Sequence, residues 1–155
     1  MTQTLKTSFL PSTPLGLLLA ASLLGPFADQ RAHPEPLPPV QSSGAVEYLS
    51  GGVGEEEAQA MQQAGAQWPM QLQFLINAKP RPEYAASVEV QVKDAKGMDV
   101  LQTATDGPFM LIKLAPGSYA VYATLDGKTL HKRISVGRNG QARAVFVWPM
   151  GTDAG

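Results

Sequence analysis

The chain has 155 residues, with 12 Lys and Arg against 13 Asp and Glu and no cysteine. The near-neutral balance offers no basic field for nucleic acid, and the missing cysteine excludes disulfides, thiolate metal sites and a cysteine nucleophile. Thirteen prolines and fifteen glycines favour short strands and turns over a helical bundle.

Lys6 is the only charge before Asp29, and Leu15 to Leu24 is an apolar run rich in leucine and alanine. A bilayer span needs about 20 apolar residues, so this run is short for a membrane helix. A positive start followed by such a run predicts a signal peptide over residues 1–28. A buried core helix and an uncleaved anchor are the alternatives. Ala28 and Ala32 both offer a small residue for cleavage, and with no cysteine after the run a lipoprotein anchor is excluded. Residues 29–44 carry four prolines and few large apolar groups, which predicts a disordered linker. A folded domain over 45–149 and a fraying tail over 150–155 follow.

Val46 to Ser50 reads as a short strand, broken by Gly51-Gly52-Val53-Gly54. Ala58, Met61, Gly65 and Trp68 then share one helical face, predicting a helix over 55–67 that Pro69 closes. Glu55, Glu56 and Glu57 suit the positive end of its dipole. Beyond Pro69 the period becomes two. Met70, Leu72, Phe74 and Ile76 form one apolar row, and Val88, Val90 and Val92 form another. Val100 to Ala104 returns after a turn at Ala95-Lys96-Gly97, and Asp106-Gly107 turns again. Phe109 to Leu114 is apolar on both faces except for Lys113, which predicts a central strand. Pro116-Gly117 is read as a turn joining it antiparallel to the next strand, with Tyr119, Val121, Ala123 and Leu125 facing inward. Asp126-Gly127 signals a hairpin into Leu130 to Val136. After Arg138-Asn139-Gly140, the last strand runs from Ala142 to Trp148. Seven strands at this spacing predict a mainly β, antiparallel sandwich preceded by one short helix.

Thr105-Asp106-Gly107-Pro108-Phe109, followed by Leu114-Ala115-Pro116-Gly117-Ser118-Tyr119-Ala120-Val121, resembles the signature of the carboxypeptidase regulatory-like family. The second half matches residue by residue, and the first is shortened, with glycine directly after Asp106. The resemblance covers about 60 residues around Val88 to Ser135. It implies an immunoglobulin- or transthyretin-like β-sandwich, commonly an accessory module of exported bacterial proteins. With its leader and the YLSGGVGEEE segment, the chain is similar to small exported proteins of proteobacteria. That implies the periplasm of a Gram-negative bacterium, with no stable membrane insertion once the leader is removed.

Gly51 to Gly54 before a helix suggests a phosphate loop, but glutamates stand where a P-loop has Lys-Ser or Lys-Thr. Consecutive glutamates on a helix diverge, so they do not converge on a cation. His33 and His131 have no spaced companions for zinc. His131 and Ser135 lie about 13 Å apart along one strand, too far for a nucleophile and its base. The tyrosines and tryptophans at strand spacing are better core residues than a sugar platform. No catalytic, cofactor or metal residue is therefore assigned. The candidate partner-binding positions are Gly51, Gly52, Gly54, Glu55 and Glu56, with His131 and Arg133. The expected function is a non-enzymatic exported module binding a protein or envelope component, for instance by strand addition. The alternative is a carbohydrate-binding domain or small hydrolase using the His131/Arg133 strand face. Oligomeric state and partner identity stay open.

Overall fold

The computed structural model describes residues 37–155. The predicted signal peptide and the first part of the predicted linker lie outside the described residues. The elements are β1 (Gln41–Ser43), β2 (Val46–Gly51), α1 (Glu55–Gly65), β3 (Met70–Ile76), β4 (Glu83–Tyr84) and β5 (Glu89–Lys93). Then come β6 (Asp99–Ala104), β7 (Phe109–Lys113), β8 (Gly117–Leu125), β9 (Lys128–Val136) and β10 (Ala142–Trp148).

Period-two rows with one apolar face must find another apolar face. Here they do so as two sheets, one ordered β1-β2-β7-β3-β10 with β4 beside β3, the other β6-β5-β8-β9. Leu72, Phe74 and Ile76 from the first meet Val90, Val92, Val121 and Ala123 from the second, all buried in one core. Phe74 stacks on Phe146 at 5.8 Å and lies 6.3 Å from Trp148. The buried Trp148 indole donates to the Lys128 carbonyl at 2.8 Å, so no polar atom is stranded by its burial. The described residues are thus mainly β, a two-sheet sandwich with one short helix, as the alternation predicts.

The seven predicted strands are β3 and β5 to β10, and the short strand predicted over Val46 to Ser50 is β2. β1 and β4 are additional. β1 corrects the predicted linker: Gln41, Ser42 and Ser43 pair with Tyr48, Glu47 and Val46, and the Tyr48 hydroxyl donates to Gln41 at 3.0 Å. A polar segment is ordered here by a sheet edge its own composition cannot reveal. The tail is also tied down. Thr152 is buried, its hydroxyl donating to the Pro149 carbonyl at 2.8 Å, and the Ala86 N–H donates to the Ala154 carbonyl at 3.0 Å. Strand pairs are antiparallel except β3 with β10, which run parallel from Met70↔Ala142 to Ile76↔Trp148.

Pro116-Gly117 does not make a hairpin. β7 lies between β2 and β3, whereas β8 lies between β5 and β9 in the other sheet. The reason is in β7 itself. Met110 and Ile112 face the sandwich core, while Phe109 and Leu111 face the helix, so the strand needs neighbours on both edges and cover on both faces. The chain leaves it by a corner that Tyr119 holds, its hydroxyl donating to the Ala115 carbonyl at 2.7 Å, the arrangement of a tyrosine corner in a sandwich. Thr105 to Pro108 is the matching corner from β6 into β7. The Val88 N–H donates to the Thr105 hydroxyl at 3.1 Å, and the Asp106 N–H donates to Ser50 Oγ at 2.8 Å. Gly107 lies against the Gly51 backbone where a Cβ would collide. Both halves of the signature segment are therefore places where the chain changes sheets.

The helix ends at Gly65, two residues before its predicted end, with Ala66 and Gln67 in a following turn. Its predicted face is the buried one. Ala58 and Met61 cover Leu49, Phe109 and Leu111 on the outer side of the first sheet, with Trp68 half-buried alongside.

Candidate functional site

The glycine loop is shaped by packing. Gly51 is the last paired residue of β2, opposite Phe109. Gly52, at φ 93°, crosses the Phe109 ring so closely that any Cβ would strike it. The Glu57 carboxylate reaches back and accepts the Gly52 N–H at 2.6 Å. Glu57, which the sequence reading did not single out for binding, thus anchors the loop. Its signal was a carboxylate three residues after the N-cap, the capping-box spacing. Gly54 is the N-cap, at φ 88° and with no side-chain cap. Glu55 and Glu56 are exposed, and Glu55 accepts from Gln59 at 3.3 Å. A hollow of about 440 Å³ lies between this loop, the first turns of α1 and Tyr84. Tyr84 is 52 % exposed and its ring sits 5.6 Å from that of Phe109.

His131 and Arg133 lie elsewhere, on the outer face of the second sheet. A two-residue turn with Asp126 at φ 49° and Gly127 at φ 68° sets the β8–β9 register. That register places His131 opposite Tyr122 and Arg133 opposite Ala120. The His131 and Tyr122 rings stack at 5.0 Å with planes 19° apart, so each covers a face of the other. Tyr119 and Trp148 are buried, and Tyr84 and Tyr122 lie on different sheets, so no common aromatic platform forms. The seven predicted positions make two places, not one.

A third place joins one of them to residues the sequence reading passed over. β9 and β10 are edge strands of opposite sheets, consecutive in the chain, and no ladder pairs them. Trp148 bridges them at the Lys128 end. Nearer their connecting turn they flank a shallow, open hollow of about 580 Å³, lined by Lys132, Arg133 and Ser135 on one side and Ala142, Arg143 and Val145 on the other. Edge strands direct alternate backbone N–H and C=O groups away from their sheet, and here both edges do so beside one opening. Lys132 stands opposite Val121, in the core-facing row, and its ammonium covers the Phe146 ring at 5.8 Å. Arg143 Nε donates to Gln71 at 3.0 Å, giving that buried amide its partner. From Gly127 to Thr152 the chain carries Lys128, Lys132, Arg133, Arg138 and Arg143 and no carboxylate. Among the described residues only Lys128 of these five forms an ion pair, with Asp126 at 3.6 Å.

No protein-family model matches the chain, and no curated protein matches it.

Among the described residues no three His, Asp or Glu side chains gather as metal ligands, and no helix is long and apolar enough to cross a membrane. The Tyr119 phenol is pushed above its ordinary pKa, first by burial and then by the Asp94 carboxylate. That residue belongs to the corner between β7 and β8 and not to a cleft. The β9/β10 opening combines what recognition of an extended chain needs: edges that no strand pairs among the described residues, an open hollow beside them and charge of one sign. The loop–helix hollow offers carboxylate, amide and phenol groups, with Glu57 already engaged by the backbone.

Proposed function

We propose that the chain is an exported, non-enzymatic sandwich module of the periplasm that recognises a partner protein of the envelope by pairing strands at the β9/β10 opening. The carrying observation is the divergence of two consecutive edge strands into opposite sheets, which leaves both edges unpaired among the described residues, around one hollow. Export is supported by Lys6 and the Leu15 to Leu24 run. An accessory role is supported by the resemblance of Leu114 to Val121 to the carboxypeptidase regulatory-like signature. His131 stacked on Tyr122, with Ser135 about 13 Å along the same strand, supports the non-enzymatic reading.

A photo-crosslinking residue placed at Ser135 or Val145 of the full chain in cells tests this. It should give one discrete adduct in the periplasmic fraction, and the same residue at Gln102, on the far edge strand β6, should not. Equal adducts at all three positions, or none from Ser135 and Val145, would remove the proposal. The mass of the protein recovered from that fraction should correspond to loss of the leader.

A further inference from the structure

We infer that the β9/β10 opening selects an acidic extended segment of a polypeptide. This rests on the strand-pairing reading above and adds to it the chemistry of the partner. Two independent features lead to it. The backbone groups of two edge strands are satisfied by another backbone, not by a polysaccharide or a free anion, so the occupant is a peptide in extended form. The side chains around the opening then decide which peptide. Lys132, Arg133 and Arg143 line it, Arg138 lies in the turn above it, and the 26 residues from Gly127 to Thr152 hold five cations and no Asp or Glu. A strand entering here would alternate its side chains between the core side, where the Lys132 ammonium lies over Phe146, and the outer sides, where Arg133 and Arg143 stand exposed. Carboxylates on either row meet a cation. A basic strand would meet like charge on both rows, and so would the same edge of a second copy, which selects a foreign acidic segment over self-pairing.

The β9 and β10 stretches lining the opening are four residues each, Lys132 to Ser135 and Ala142 to Val145. A probe of about eight residues in strand form spans them with overhang. The test uses the full chain and three fluorescent peptides of that length: alternating Glu and Val, alternating Lys and Val, and the Glu peptide with every second amide N-methylated. Polyphosphate is the non-peptide anion. The Glu peptide should bind best and slow amide exchange within residues 132–135 and 142–145. Raising salt from about 50 to about 300 mM should weaken it about tenfold, since the contacts are solvent-exposed. In the Arg133→Glu/Arg143→Glu double variant the preference should reverse toward the Lys peptide, with folding checked by thermal melting. The salt titration and the peptide comparison on the unmodified protein need no variant. If Glu and Lys peptides bind equally and both protect the edge, strand pairing stands and the acidic preference is overturned. If the N-methylated peptide and polyphosphate do as well as the Glu peptide, the surface is a plain anion patch and the inference fails. If no peptide protects the edge at any salt, both this inference and the strand-pairing reading fall.

Discussion

Tyr119 shows how much one side chain holds. Its hydroxyl closes the corner between β7 and β8 by donating to the Ala115 carbonyl, while its ring packs in the core. Removing only the hydroxyl, in Tyr119→Phe, leaves a carbonyl short of a donor and should cost about 1 kcal/mol. For a folded region of this size that is about a 4 °C drop in melting temperature by calorimetry. The pH dependence has a definite sign. Burial, with the Asp94 carboxylate behind it, raises the phenol's pKa in the folded protein above the unfolded value. Folded protein therefore holds the proton longer than unfolded protein. The contribution is intact below about pH 10, the ordinary tyrosine value, and is lost as pH rises through the folded pKa. Urea melts of the parent chain should lose stability above about pH 10 more steeply than those of Tyr119→Phe. Parallel curves would deny Tyr119 that role. The spacing from Leu114 to Tyr119 was visible as a motif, but its meaning was not. Proline and glycine mark a turn equally well whether the flanking strands pair or belong to opposite sheets. Only the two-faced burial of Phe109 to Ile112 separates those cases.

At the scale of elements, α1 is held by its buried face. Met61 is fully buried against Leu49, Phe109 and Leu111, and the helix has no side-chain cap to keep it formed alone. An isolated helix of 11 residues is marginal in water. Met61→Ala should therefore cost about 2–5 kcal/mol. It should also raise amide exchange in α1 and in Gly52, whose N–H the helix residue Glu57 accepts. If exchange at Gly52 stays unchanged while the melting point falls, the loop is held independently of the helix. The helical face and the strand rows were legible because each is a local period meeting one partner surface. The Tyr122–His131 stack was legible in principle too, since the two-residue turn at Asp126-Gly127 dictates the register four pairs away. The parallel union of β3 with β10 was not, because it joins segments some 70 residues apart and nothing local states direction. β1 and β4 escaped notice because strands of three and two residues carry no period. Of the candidate positions, Gly51 and Gly52 stood out for a reason the sequence does not display: a Cβ at Gly51 would strike the Glu57 and Pro38 side chains, and one at Gly52 would strike the Phe109 ring.

For the molecule as a whole, the question is what keeps two open strand edges from pairing with copies of themselves. A sandwich that sends consecutive strands β9 and β10 into opposite sheets leaves an edge on each, and an exposed edge is a template for association. The remedy visible here is charge. Lys132 points along the core-facing row and Arg133 along the outer row, so both sides of β9 present a cation at neighbouring positions. Their replacement by residues that suit a strand, Lys132→Val with Arg133→Thr, keeps or raises strand propensity while removing the repulsion. Core packing should survive, because Lys132 contributes only its stem and its contact with the Phe146 ring, and valine covers much of the same apolar surface. The double variant should then form dimers or larger species whose mass by light scattering rises with protein concentration more than that of the parent chain. Added salt offers a second reading of the same term. Exposed charges about 10 Å apart are largely screened above about 0.1 M, so salt should push the parent toward the behaviour of the variant and change the variant little. Identical masses for the two proteins across concentration and salt would mean that shape, through the divergence of β9 from β10, protects the edges and that the cations serve recognition alone.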